Sequence, residues 1–582
     1  MKRKALIFIA SMLLLMITFC SCHGDGTPAG TGENTPLPGT GSEPSQEGNV
    51  TEKPRTSGSA ATFEELKTLL EKDTNVITLT ADITVSETLY VMDDVTLIAS
   101  ADCTLQRDVA FTGDMFVIGE NARGEHPVLL GRLAGLSLKP EEGVTLTVDG
   151  NSENITKTVC GSAFFVTNSG ALNVYDGVSI VNHTKMGNAK LSEATPYYLT
   201  HPLRAGGAAV LVADGVFNMH GGLISNCHVN TKDSANTAQD DQTAGYDNSS
   251  CGGAVYNHGT FNMYGGTVSD SSAARGGAIY SYRVANILSG TLEGNSAAAY
   301  GGAVYMVNSQ YVNTVIGNDG TKAPVRILEN SCDLSGGAFY VAHQSSVYVK
   351  GNTTFEKNTA KNNGGALNVA GEMVITSARF LENKAWDKGG AIYSYYGQAD
   401  LSRRVVRIDG GSFEKNVAGR GGAICFSDSG SVTEGALGKI GTVTFLENKA
   451  VTDNGGTGNG GALYLSAAST VTFIGSPIFE KNSATKNGGA IYITGASIVN
   501  TEATDAQLSF KECTAGGNGG AIYAYTDTVV TLPKLIAISN SAAGNGGAMY
   551  VSQSANVTVN GVASITGNAS TGTPRFHWNP RW

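Results

Sequence analysis

The 582-residue sequence predicts an all-β protein, a parallel β-helix (solenoid) with a short N-terminal capping helix. Three observations carry that expectation. Glycine accounts for 75 of 582 residues, about 13% against roughly 7% in average usage. Charged residues make up only 15%, low for helix surfaces. From residue 206 onward, two short motifs recur at spacings of 24 to 46 residues. A helical bundle, a coiled coil and a Rossmann-type enzyme all fit poorly. The net charge of 39 − 50 = −11 disfavours a nucleic-acid partner, because phosphate binding needs a clustered basic surface. The 41% hydrophobic content is enough for a core and argues against wholesale disorder.

Residues 1–21 read as an address. Lys2, Arg3 and Lys4 form a basic start, and Ala5 to Phe19 form an apolar run too short to span a bilayer, which needs about 20 residues. Phe19-Cys20-Ser21-Cys22 resembles a bacterial lipoprotein lipobox. Ser21 is the small residue such a site places before its cysteine, so Cys22 is the expected lipidation site and Cys20, behind bulky Phe19, the alternative. A diacyl group plus an N-acyl chain would anchor the chain stably. Residues 22–58, rich in Gly, Thr, Pro, Ser and Glu, cannot bury enough surface to offset ordering entropy and read as a flexible tether. Leu37-Pro38-Gly39-Thr40-Gly41 is a chance match to a sortase signal, which belongs at a C-terminus.

Residues 59–205 read as a cap followed by irregular first coils. Thr62-Phe63-Glu64-Glu65 is a capping box, and Phe63, Leu66, Leu69 and Leu70 share one helical face. A helix here would cover the open end of the first coil.

Residues 206–570 are the repeat. Gly-Gly-Ala-apolar-Tyr units begin at Gly206, Gly252, Gly276, Gly301, Gly336, Gly364, Gly389, Gly421, Gly460, Gly488, Gly519 and Gly546. Phe-x-x-Asn precedes the later copies, as in Phe355/Asn358, Phe380/Asn383, Phe413/Asn416, Phe445/Asn448 and Phe479/Asn482. The fourth position of the first unit is large and apolar in every copy from Gly252 onward. Alternation along a short strand puts positions four and six inward, with Ala and Tyr outward. Asn-Gly, as at Asn363 and Asn487, readily takes positive φ and makes a tight corner. Stacked coils would let each Asn bond its copy in the next coil. The residues before those Asn positions are Glu329, Lys357, Glu382, Lys415, Glu447, Lys481 and Glu512, the last preceding Cys513. Their alternating signs predict a charge ladder that fixes register. The tail 571–582, with Phe576, Trp578 and Trp582, either folds over the last coil or frays.

The paired Gly-Gly-Ala-(Ile/Leu/Val) and Phe-x-x-Asn motifs, over about 206 to 568, resemble the passenger domains of chlamydial polymorphic membrane proteins and related bacterial surface proteins. The resemblance implies a right-handed β-helix, surface exposure and adhesion. No region after the repeat is long enough for the outer-membrane barrel of those proteins, so a lipid is expected as anchor on the bacterial envelope, facing outside.

No catalytic residues, metal ligands or cofactor are assigned. The seven cysteines of the body have wide spacings without CxxC, so a metal knuckle is not expected. The best acidic cluster is the 228–251 insertion, with Asp233, Asp240, Asp241 and Asp247 and with His201 and Arg204 upstream; a solvated loop is the simpler reading. His220 and His228 flank Cys227 and are a weak metal signal. Candidate ligand-binding residues are the outward tyrosines Tyr256, Tyr280, Tyr305, Tyr340, Tyr393, Tyr464, Tyr492, Tyr523 and Tyr550, which either bind sugars or protein partners or stack as a packing ladder. The expected function is adhesion or binding to a glycan or protein ligand by a surface lipoprotein. A polysaccharide lyase or hydrolase and an envelope spacer are the alternatives.

Overall fold

A computed structural model describes residues 56–572, apart from segments 122–124, 126–133, 187–205, 231–249, 308–312, 397–404, 429–434 and 500–505 and positions 73, 156, 344 and 553. The signal peptide, Cys20, Cys22, the tether up to residue 55 and the terminal aromatics lie outside the described residues. The chain divides into two units, Met1–Pro54 and Arg55–Trp582, and the second is a parallel β-helix.

Among the described residues its strands form three sheets of 29, 15 and 13 strands. Each coil places one strand in the 15-stranded sheet and then two segments in the 29-stranded sheet; from Thr184 onward it adds one strand in the 13-stranded sheet. The register runs without a break across residue 206: Phe164–Val166 pairs in parallel with Val210–Val212, and these with Val255–Asn257. At the N-terminal end, α1 (Phe63–Glu71) starts at a complete capping box between Thr62 and Glu65 and buries Leu66 and Leu70 against the first coil.

The interior is one continuous column of Ile, Val, Leu, Phe and Met. Phe355, Phe380, Phe413, Phe445, Phe479 and Phe510 stack with centroids 4.6 to 5.2 Å apart. Offset stacking of this kind adds to the burial of each ring. Beside them the asparagines form the expected ladder. From Asn295 through Asn482, each Nδ2 donates to the next Oδ1 at 2.9 to 3.0 Å. The backbone N–H of each Asn donates to the same oxygen, so a fully buried amide is satisfied on every side.

The residue before each ladder Asn is left-handed: φ is 53° at Lys415 and 51° to 58° from Asn182 and Asn226 through Asp270 to Glu512 and Ser539, with Gly294 and Gly567 at the same place. The charge ladder is in register, because Leu328, Glu356, Leu381, Glu414, Leu446 and Glu480, one residue earlier, are successive strand partners. Lys357 Nζ lies 3.6 Å from Glu329 Oε1.

The glycine corners correct one expectation. The Ala of Gly-Gly-Ala was expected to face outward, yet Ala254, Ala278, Ala303 and Ala338 are fully buried. The strand proper begins only at the following residue, so the alternation does not extend back to Ala. The first Gly has positive φ (67° at Gly301), and the second stacks on its copy: a Cβ on Gly302 would lie 2.1 Å from Gly337 O. That close approach turns Ala inward at the corner.

Candidate functional site

The nine candidate tyrosines all fall on the outer side of the 15-stranded sheet, at one register position. The column runs Tyr256, Tyr280, Tyr305, Tyr340, Asn368, Tyr393, Cys425, Tyr464, Tyr492, Tyr523 and Tyr550. Asn368 and Cys425 divide it into blocks. In the first, successive centroids lie 5.0, 5.4 and 5.0 Å apart with planes within 11°. In the last, Tyr464, Tyr492, Tyr523 and Tyr550 repeat at 5.1 Å. Tyr393 stacks on Tyr395, whose hydroxyl meets that of Tyr340 at 2.7 Å.

Their exposure is lower than an outward position suggests. Tyr256 and Tyr280 are 1% and 2% exposed, Tyr393 and Tyr523 are also buried, and the other five are half-buried. The first two belong to a second, smaller apolar cluster with Val117, Phe165, Leu211 and Cys251 on the outside of the sheet. Desolvation pushes the phenols up, to about 12 at Tyr492 and Tyr523 and further at Tyr256 and Tyr305. Geometry limits the chemistry: rings stacked at 5 Å hide their faces in one another, leaving edges and hydroxyls for any ligand.

A second aromatic column, not anticipated from the sequence, lies on the 29-stranded sheet. Tyr175, His220 and Tyr264 stack at 4.6 and 5.2 Å. Lys139 Nζ sits 5.6 Å over the Tyr175 ring and Lys322 Nζ 4.7 Å over that of Tyr264, closing the column with cations. Two residues earlier, Asn173, Asn218, Asn262 and Asn286 form a half-buried amide ladder at 3.0 Å. Register alone would have found this column, since each aromatic precedes a Gly corner at the same place in its coil. His220 is therefore a stacking residue, whereas His228 faces Ser272 Oγ at 2.8 Å and Asn226 Oδ1 at 2.7 Å. The two do not converge.

A buried polar group marks the earlier coils. Lys185 Nζ donates to Ser162 Oγ at 3.0 Å and to Gly206 O at 2.7 Å, and Arg107 Nη2 donates to Ser162 O at 3.1 Å. Serine beside lysine is an arrangement nucleophilic enzymes use. Here both are fully buried and the serine hydroxyl donates to Gly207 O at 2.6 Å, so it is a structural group closed to substrate. His183 occupies the ladder position of the asparagines, with Nε2 3.2 Å from Val148 O; burial and neighbouring Arg107 hold its imidazole neutral down to about pH 3.

Asp233, Asp240, Asp241, Asp247, His201 and Arg204 lie outside the described residues. Among the described residues, no group of three or more His, Cys, Asp or Glu is placed to hold a metal, and no helix is long and apolar enough to cross a membrane.

Fold and surface together define a parallel β-helix built of stacked repeats. Residues 352–370, 442–466 and 478–494 match the family model of the Chlamydia polymorphic membrane protein (Chlamydia_PMP) repeat, so the chain carries repeats of that type. Each matched segment spans stretches described above: Phe355 with Asn358, Phe445 with Asn448, and Phe479 with Asn482. Proteins of that family are surface-exposed envelope proteins, a setting compatible with adhesion. No curated protein and no solved structure matches the chain.

Proposed function

We propose that this protein is a cell-surface adhesin: a lipoprotein held in the envelope membrane through Cys22, with residues 22–58 as tether and the β-helix as its binding body. The observation that carries the reading is the repeat itself. Coils of the polymorphic-membrane-protein type build lateral faces on which like side chains recur every coil. Such a face suits a ligand that is itself extended and periodic, a glycan chain or a repetitive protein. Contact would run through tyrosine edges, phenol hydroxyls and the Asn173–Asn286 amides, at a repeat of about 4.8 Å set by strand spacing.

The test is an immobilised panel of cell-wall, host and plant polysaccharides and matrix proteins, probed with the mature chain and with Tyr464→Ser/Tyr523→Ser and His220→Ala/Tyr264→Ser variants. Retention of the native chain that either pair weakens at least about tenfold, with folding intact, supports the reading. New reducing ends or unsaturated products from any polysaccharide would replace it with an enzyme. Metabolic labelling with a fatty acid, lost on Cys22→Ala, tests the anchor.

A further inference from the structure

The corner joining the 29-stranded to the 13-stranded sheet is two residues long in every one of its thirteen occurrences, from Asn182-His183 to Gly567-Asn568. Longer connections, such as 187–209 and 231–254, fall at the other corners. The second residue of each pair belongs to the inner ladder, buried from His183 through Asn540; the first is left-handed and, except at Gly294 and Gly567, carries the outer side chain. No insertion therefore interrupts this ridge. Its charges alternate through Glu329, Lys357, Glu382, Lys415, Glu447, Lys481 and Glu512, and most are exposed, with 58% of the Glu329 side chain and 49% of Lys357 open to solvent.

We propose that this ridge docks a second copy of the chain, laid alongside in the opposite direction about a two-fold axis between Glu382 and Lys415. In that register Glu382 faces Lys415 of the second copy, Lys357 faces Glu447, and Glu329 faces Lys481; the symmetry makes each pairing twice. The columns on either side obey the same register. One residue earlier, Glu293 meets Lys511, while Leu328, Leu381 and Leu446 stand opposite Glu480, Glu414 and Glu356. Two residues later, Lys384 meets Val417 and Lys449 meets Thr359. No like charges oppose in any of the three columns.

Two other arrangements fail on the same residues. Moving the axis half a coil, onto Lys415, sets Lys against Lys and Glu against Glu along the ridge. A parallel pair about a two-fold along the coil axis sets every residue against itself. The favoured axis also lies within half a coil of the centre of the ridge, with seven corners from Asn182 to Glu382 on one side and six from Lys415 to Gly567 on the other, so twelve of the thirteen corners meet a partner. Isologous, self-complementary contacts of this kind close as dimers. Exposed pairs are individually weak and screened by salt, so the contact is weak in solution and gains from multivalency at a surface. The opposite sense of the two copies places their N-terminal ends apart, the arrangement met by chains anchored on facing surfaces.

Sedimentation of the mature chain tests this at about 0.02 M and about 0.5 M NaCl, where the screening length falls from about 20 Å to about 4 Å. Self-association at low salt that weakens at least about tenfold at high salt is expected. The Lys357→Gln/Lys415→Gln/Lys481→Gln variant should stay monomeric at both, with an unchanged circular dichroism spectrum. A zero-length carbodiimide link between Lys481 and Glu329 reports the register, because within one chain they stand five coils, about 24 Å, apart. A chain that is monomeric at low salt, a dimer indifferent to the triple variant, or a dimer without the Lys481–Glu329 link would each overturn the proposal.

Discussion

Asn416→Ala tests whether the internal amide ladder holds the coils together. The Asn416 side chain takes part in four hydrogen bonds. Its Oδ1 accepts from the Asn383 backbone N–H and from Asn383 Nδ2, both at 3.0 Å. Its Nδ2 donates to Phe380 O at 3.0 Å and to Asn448 Oδ1 at 2.9 Å. Truncation leaves Asn448 Oδ1 with the Asn416 backbone N–H, but it orphans two groups, the Asn383 backbone N–H and one Asn383 amide hydrogen. At roughly 1–3 kcal/mol for each buried unsatisfied group, the loss is about 2 kcal/mol or more. The damage should be local, since a solenoid couples neighbouring coils and melts by segments. Hydrogen exchange on the native chain should therefore accelerate at Asn383, Val417 and Lys449 well before Ile83 or Leu97. The converse substitution exists at a natural gap. Cys513 sits in the ladder with its N–H on Asn540 Oδ1 at 2.9 Å but offers only a sulfur to its neighbours, so Cys513→Asn should stabilise by about 1 kcal/mol. A loss under about 1 kcal/mol in Asn416→Ala, with unchanged exchange in adjacent coils, would refute the ladder as a stabilising element.

Four further outcomes are expected. Stability should fall as pH drops below 6.5, because the unfolded His183 binds a proton that the folded imidazole refuses until about pH 3; His183→Asn, the residue used elsewhere in that column, should flatten the slope in acid melts. At the alkaline end, Tyr492 and Tyr523 ionise near 12 when folded but near 10 when unfolded. Stability should therefore decline between those values, with phenolate absorbance rising late and together with loss of circular dichroism. Gly302→Ala should abolish folding of its coil, since the added carbon falls 2.1 Å from Gly337 O, and limited proteolysis should then cut near residue 302. Lys415→Glu should cost some tenths of a kcal/mol for each neighbour, recovered in high salt, as measured by urea melts.

The parts of this fold legible in the sequence were those where one side chain has one role in every coil. Gly-Gly-Ala, Phe-x-x-Asn and the Glu/Lys alternation each repeat because a stacked position meets its own copy above and below. What stayed hidden were places where different residues serve one geometric need. His183, Cys227 and Ser271 stand in the asparagine column without resembling asparagine. Left-handed backbone was expected at Asn-Gly and also occurs at Glu and Lys, because the corner's hydrogen bonds impose it whatever the side chain. The burial of Tyr256 and Tyr280 depends on apolar partners from other coils, such as Phe165 and Leu211, which no local pattern joins to them.

The placement of α1 has a consequence for how the molecule is made. Synthesis delivers the N-terminus first, and the helix that seals the first coil lies within the first stretch of the β-helix to emerge. Every later coil finds a finished edge to pair with, in parallel and in sequence order, and needs nothing from residues not yet translated. Assembly can therefore proceed vectorially, one layer at a time, as it does when each repeat touches only its neighbours. A chain translocated N-terminus first could use the same order to harvest folding free energy on the far side of a membrane, drawing the remaining polypeptide after it.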